Sequence, residues 1–331
     1  MNRSIHRIRR RCVALLLVGA VLLAACGAQQ ATPTAAPLPP LKFGFDLWPG
    51  YYPALIANGK GFFKEAGVAV EPIHPEQTDT MMADFTAGKY DAIAIALGDL
   101  VSLTQSNTDF SIILISDESS GGDAIISLSG AQSVTDLRGK RVGVNLGGFA
   151  ELLVTTMLAE NGMTPTDVVL VDMDAAELPA KLASGEVEAG HTWEPYLTEI
   201  AEQGGTVLFS SAQTPGLIPD AIAFRGEVIR QRPDDVRAFV KAWGQAVDFW
   251  LDHREEGTAI AAAALKLPPE SISLKGIRLL TLADNRAIFQ PGQTTASLEY
   301  TTKLYIDFYT RIGTIRTPPD TKSLLNSSFL N

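Results

Sequence analysis

The chain has 331 residues, with 37 acidic and 27 basic side chains and a net charge of −10 at pH 7. Five of the basic residues lie in an N-terminal stretch that reads as a removable leader, so 22 bases face 37 acids afterwards, a balance of −15. That excess argues against nucleic acid as a partner and against electrostatic docking on anionic lipid. Only Cys12 and Cys26 are cysteines, and His74, His191 and His253 lack metal-ligand spacing. A disulfide framework, a thiolate nucleophile, a metal site and a cofactor are therefore not expected in the body.

Residues 1–12 carry Arg3, Arg7, Arg9, Arg10 and Arg11 with no acid, and Val13–Ala25 is an apolar or small run. Thirteen such residues fall short of the ~20 that cross a bilayer core, and the pattern is that of a secretory signal. The run ends Leu23-Ala24-Ala25-Cys26-Gly27, which resembles the bacterial lipobox. The resemblance implies a lipidated Cys26 as the first mature residue; ordinary cleavage would leave its thiol free. Pro33, Pro37, Pro39 and Pro40 stand among small residues up to position 40, a composition that suits a semi-extended spacer. Residues 1–25 are thus expected to be the signal peptide and 26–40 a linker.

From Leu41 the sequence predicts an α/β body with parallel strands, too long for one typical core and divided into two lobes. Leu41–Leu47, Val68–Ile73, Ala92–Leu97 and Ser111–Ser116 read as strands, with helices at Pro53–Glu65 and Thr78–Ala87. A second set follows at Ala124–Ser129, Arg141–Asn145, Val168–Asp172 and Thr206–Phe209. Helices are expected over Phe149–Asn161, Ala175–Ser184 and Pro195–Gln203. After a return segment at Asp220–Arg225, Pro233–Leu251 has Val236, Phe239, Val240, Trp243, Val247 and Trp250 at helical spacing, a core stripe. Further helices are predicted at Thr258–Ala264, Leu274–Leu282 and Thr294–Ile312. Residues 41–120 and 223–331 are assigned to one lobe and 121–222 to the other, with crossovers near Glu118–Asp123 and Ser210–Phe224.

Four phrases occur in order: Gly59–Val68 (GKGFFKEAGV), Ala87–Ala92 (AGKYDA), Asp136–Val144 (DLRGKRVGV) and Thr192–Tyr196 (TWEPY). Each is weak alone, but as an ordered set they resemble bacterial solute-binding proteins of the NMT1/THI5-like, sulfonate and taurine group. The resemblance implies a periplasmic-binding-protein fold of type II, with ligand held in a cleft between the lobes. It also implies delivery of a small-molecule solute to an ABC permease and its ATPase, with lipid on Cys26 keeping a monomeric receptor at the membrane.

Ligands of open α/β sheets bind beyond the carboxyl ends of the strands. There the sequence offers Asp46, Trp48, Tyr51, Gln77 and Thr78, and Asp99 in the first lobe. The second lobe offers Asn145 and Phe149 beside Gly147-Gly148, and Trp193, Glu194 and Tyr196. Plain alternatives stand beside these: Trp48 and Tyr51 can fill the lobe, Thr78 and Asp99 can cap helices, and Glu194 can complement a helix dipole. The set is aromatic and acidic. It suits a heterocycle that stacks and donates hydrogen bonds, in the terms of the resembled group riboflavin, favoured for the stacking area of the Trp48 and Tyr51 loop, or the thiamine pyrimidine. A sulfonate, taurine or nitrate would call for basic donors and is the alternative. No nucleophile triad or paired-acid motif appears. The eukaryotic pyrimidine synthases that share the fold need a cysteine-rich motif that the mature chain lacks, so no enzyme is expected. A lipid-tethered sensory domain is the remaining alternative.

Overall fold

The computed structural model describes residues 38–75 and 78–331. The leader, Cys26, the linker before position 38 and Gln77 lie outside the described residues, as do the side chains of Thr78 and Asp79. The first sheet starts with β1 (Leu41–Phe45), α1 (Pro53–Lys60), α2 (Phe62–Ala66), β2 (Val70–Ile73), α3 (Thr78–Thr86), β3 (Ala92–Ala96), α4 (Leu97–Leu103) and β4 (Phe110–Ser119). The second comprises β5 (Asp123–Ser127), β6 (Arg141–Val144), α5 (Phe149–Glu160), β7 (Val169–Asp172), α6 (Leu178–Ala183), β8 (Ala189–Trp193), α7 (Tyr196–Glu202) and β9 (Thr206–Ser210). The chain then returns through β10 (Pro219–Arg225), α8 (Gly226–Gln231), α9 (Pro233–Asp252) and α10 (Arg254–Leu265). It ends with β11 (Ile277–Leu279), α11 (Leu282–Ile288), α12 (Leu298–Ile312) and α13 (Thr321–Leu324).

The strand orders are β11-β4-β10-β3-β1-β2 and β7-β6-β8-β5-β9. Parallel pairs join β1 to β2 and β3, and β6 to β7 and β8. Beside these expected parallel strands, β10 runs antiparallel to β3 and β4, and β5 antiparallel to β8 and β9. The reason is connectivity. A strand that starts immediately after the chain has crossed from the other sheet begins at the edge where its neighbours end, and so must run against them.

Three predicted elements differ. The helix over Pro53–Glu65 is two helices, because Gly61 at φ +80° ends the first in a left-handed conformation. Strand β4 continues through Asp117, Glu118 and Ser119. The predicted helix at Leu274–Leu282 is instead β11, an edge strand paired to those three residues, with Arg278 opposite Glu118 and 2.7 Å from its carboxylate. A long exposed edge on β4 is satisfied by pairing, which outweighs a short apolar spacing of helical type.

Helix α9 lays its apolar stripe on the β1 side of the first sheet. Trp243 and Trp250 are fully buried, and Phe239 stacks on Trp243 with ring centroids 5.9 Å apart. Helix α12 packs on both α4 and α5. One apolar cluster therefore runs from Ile93 and Ile95 of the first sheet, through Tyr305 and Tyr309 of α12, to Val142 of the second sheet and Leu153 of α5.

Candidate functional site

The reversal at each crossover brings three acids to the shared edge. Register pairs Asp220, near the start of β10, with Asp117 near the end of β4, and Asp123, the first residue of β5, with Trp193, the last of β8. All three acids are buried. Trp48 Nε1 donates to Asp117 Oδ1 at 2.9 Å, and Ser116 Oγ donates to Asp117 Oδ2 at 2.8 Å. Tyr51 Oη donates to Asp220. Burial pushes the Asp117 carboxyl up to about 7, against the bonds from Trp48 and Ser116, and the charge of Asp123 adds to the rise. Asp220 is held well above the usual carboxylate range by burial, then by the negative charges of Asp117, Asp46 and Asp123. Burial, then the negative charges of Asp220, Asp46 and Asp117, raise the Tyr51 phenol far above its ordinary value. Near neutral pH this pair keeps a proton that exposed acids would have lost.

The crossovers are tied together by hydroxyls. Ser119 of the first and Ser211 of the second lie Oγ to Oγ at 2.8 Å, Gly121 N donates to Ser211 Oγ at 2.7 Å, and Asp123 N donates to Ser119 Oγ at 3.0 Å. Helix α12 holds the second crossover through Thr301 Oγ1 on Gly216 O and Tyr305 Oη on Leu217 O.

In the second lobe, Phe149 at the start of α5 and His191 and Trp193 of β8 form an aromatic trio. His191 meets Phe149 and Trp193 at 5.8 Å each, at interplanar angles of 89° and 64°, and His191 Nε2 lies 3.0 Å from Asp123 Oδ1. Phe149 also reaches across to the first lobe. A methyl group on Gly98 would lie 3.1 Å from Phe149 Cβ and 2.6 Å from Tyr309 Oη, so only glycine permits this approach.

The residues singled out in the sequence fall into three groups. Asp46, Trp48 and Tyr51 gather around Asp117 and Asp220: Asp46 Oδ1 accepts from Trp48 N at 3.2 Å, while the Tyr51 ring is buried in the lobe core and only its hydroxyl reaches the acids. Phe149 and Trp193 gather around His191. Glu194 stands beside them, its Oε2 accepting from Thr198 N at 3.1 Å and its Oε1 3.2 Å from Lys275 Nζ, so it serves the start of α7.

The others are set apart. Asp99 sits in the first turn of α4 and lines a 390 Å³ depression with Met82, Thr86 and Ser102. Asn145 is exposed at the end of β6. Thr78 is the first residue of α3. Tyr196 lines a 360 Å³ depression between α6 and α7, with Pro179 and Glu199, away from the trio. Sequence reasoning missed Asp117, Asp123, Asp220 and His191; the available signal was an acid at the end or start of an otherwise apolar strand.

The putative aliphatic sulfonates-binding protein of Bacillus subtilis (strain 168) is 25% identical over 299 residues, covering 87% of this chain and 90% of that protein. The alkanesulfonate-binding protein SsuA of Xanthomonas axonopodis pv. citri bound to MOPS superposes with a TM-score of 0.69 at 15% identity, covering 88% and 99% of the two chains. The periplasmic nitrate-binding protein NrtA of Synechocystis PCC 6803 gives 0.67 at 18% identity, covering 87% and 86%. The fold is thus the two-lobed one of periplasmic solute-binding proteins. The NMT1/THI5-like family model matches residues 48–257, and the chain belongs to that family.

Proposed function

We propose that this protein is the solute-binding component of an ABC importer, held outside the cytoplasmic membrane by lipid on Cys26. The observation that carries the reading is the convergence of both sheets' carboxyl ends at two hydroxyl-tied crossovers, with aromatic and acidic side chains gathered there. Ligands of open α/β sheets sit at such edges. Two crossovers give a hinge about which lobes can close on a solute, and the closed form is what a permease would recognise. No side chain in the site is arranged as a nucleophile with a base, so capture and release, not catalysis, is the activity proposed.

The solute we favour is a small aromatic heterocycle with hydrogen-bond donors, riboflavin or a thiamine pyrimidine. Trp48 on one lobe and Phe149 with Trp193 on the other offer ring faces, worth about 0.5–1.5 kcal/mol per stacked pair, and the acids offer acceptors. Two bases border the site, but Lys275 pairs with Glu194 and Arg278 with Glu118 and Asp284. The second reading, a sulfonate or nitrate, draws on what the similar proteins are described as binding. Thermal shift and fluorescence quenching across riboflavin, 4-amino-5-hydroxymethyl-2-methylpyrimidine, alkanesulfonates and nitrate test both. Saturable riboflavin quenching at micromolar concentration supports the first, and a response to oxyanions alone supports the second. Silence across the whole panel would remove the receptor reading.

A further inference from the structure

His191 is 2% exposed, and its two ring nitrogens are treated very differently. Nε2 faces the Asp123 carboxylate at 3.0 Å. A carboxylate accepts, so Nε2 carries a hydrogen, and in the singly protonated ring Nδ1 is left with a bare lone pair. That Nδ1 has no hydrogen-bond partner among the described residues. A buried polar atom without a partner is costly, and few persist without a use. Trp243 Nε1 is also without a partner, but it lies in the lobe core against Phe43 and Phe239. His191 is placed otherwise. It stands two residues before the end of β8, at the edge where the crossovers meet, with its ring between Phe149 and Trp193. Phe149 in turn rests against Gly98 of the other lobe, so separating the lobes removes that cover from the trio.

We propose that His191 is the residue of the second lobe that reads the solute, with Nδ1 accepting an N–H or O–H from it and Asp123 fixing the tautomer. This rests on the receptor reading and narrows it. The solute class selected is a neutral ring compound that presents a donor at its edge while its face lies on Phe149 or Trp193. A bare oxyanion offers only acceptors to a bare acceptor. It would also sit beside Asp123, whose negative charge is felt by Asp117 and Asp220. Among the described residues no group of three or more metal-ligating side chains is assembled, so a cation bridge between His191 and an oxyanion has no ligand set.

The test uses the full chain, titrated calorimetrically with riboflavin, 3-methylriboflavin (whose ring N–H is replaced by methyl), 4-amino-5-hydroxymethyl-2-methylpyrimidine, methanesulfonate and nitrate. We expect a donor-bearing ring compound to bind. H191F, which keeps the aromatic stack and loses the acceptor, should weaken that binding by about tenfold to a hundredfold. If riboflavin is the solute bound, 3-methylriboflavin should weaken by a similar factor on wild type and lose no more on the variant. Because H191F leaves Asp123 without its partner, folding is checked by circular dichroism. An independent readout on wild type is the ¹⁵N resonance of His191 Nδ1, which should move towards the hydrogen-bonded position when the tightest probe is added. Equal affinity of wild type and folded variant, an unmoved Nδ1 resonance, or binding of methanesulfonate or nitrate in place of the ring compounds would each overturn the assignment. No binding of any probe would instead remove the receptor reading, and the proposal with it.

Discussion

Replacing Asp117 by Asn removes the ionisable group at the centre of the buried cluster while keeping its shape. The Asn oxygen can still accept from Trp48 Nε1, which now lies 2.9 Å from Asp117 Oδ1. The new amide can donate to Ser116 Oγ, whose own hydrogen turns to Asp220 O, 3.2 Å away. The change is therefore one of titration more than of packing. In the wild type the Asp117 midpoint rises from 3.8 to about 7, so the folded state holds a proton that the unfolded chain has released. Stability from this group is complete below the ordinary carboxylate value and is lost as pH rises through about 7. Each pH unit in that window is worth about 1.4 kcal/mol, so through Asp117 alone wild type should lose about 3 kcal/mol between pH 5 and pH 8. For a body of this size the melting temperature should fall by about 6 °C. Asp220 acts in the same direction. The carboxylates with lowered values, Asp136, Asp167, Glu188 and Asp284, lose their contribution only as pH falls through and below the ordinary range, outside this window. Asp117→Asn should flatten the profile, which thermal melts in a constant-ionic-strength buffer series measure directly. Equal slopes for wild type and variant between pH 5 and pH 8 would refute the reasoning.

Gly98→Ala places a methyl group 2.6 Å from Tyr309 Oη and 2.9 Å from a Tyr305 ring carbon. It should cost about 1–3 kcal/mol in urea unfolding; an unchanged midpoint would mean that Phe149 and α12 do not close on Gly98. Trp243→Ala empties a fully buried position beside Phe43 and Phe239 and should cost about 3–5 kcal/mol by the same assay. Lys275→Ala removes the exposed cation beside Glu194, whose side chain is only 12% exposed, and by leaving the buried Oε1 without its ion pair should cost about 1–3 kcal/mol in the same assay. Cys26→Ser should abolish incorporation of labelled palmitate in a bacterial host and shift the protein from the membrane to the soluble fraction.

Apolar periodicity located most of the strands and helices. The stripe from Val236 to Trp250 was legible because a 20-residue helix repeats its pattern often enough to identify its buried face. Short elements were not. Leu274 to Leu282 has apolar residues at helical spacing, yet Ile277–Leu279 forms a strand because β4 has an open edge beside it, which no local pattern reveals. The aromatic loop after β1 was legible as a cluster, but not which ring points where. A short turn at Pro49–Tyr51 sends the Tyr51 ring into the core and leaves Trp48 half-buried against Asp117. Tyr196 and Trp193 are neighbours in one phrase, yet the turn between β8 and α7 sends them to different faces.

The acids missed in the sequence share one cause, and it also explains why the site and the crossovers coincide. A chain that crosses between two sheets must start its next strand at the shared edge, so the first residues of that strand are delivered beside the last residues of its neighbours. Here those first residues are Asp123 and the Pro219-Asp220 pair. Local sequence places them at strand starts of no particular interest, and only the pairing Asp220 to Asp117 and Asp123 to Trp193 brings them together. The same edge carries Ser119 and Ser211, one from each crossover, in direct contact. The acid pair lies within the first sheet and the Asp123–His191 pair within the second, so rotation of one lobe about these strands would leave each pair intact and change the distance between them. On the proposed reading, a solute that bonds to both pairs at once would couple its capture to closure.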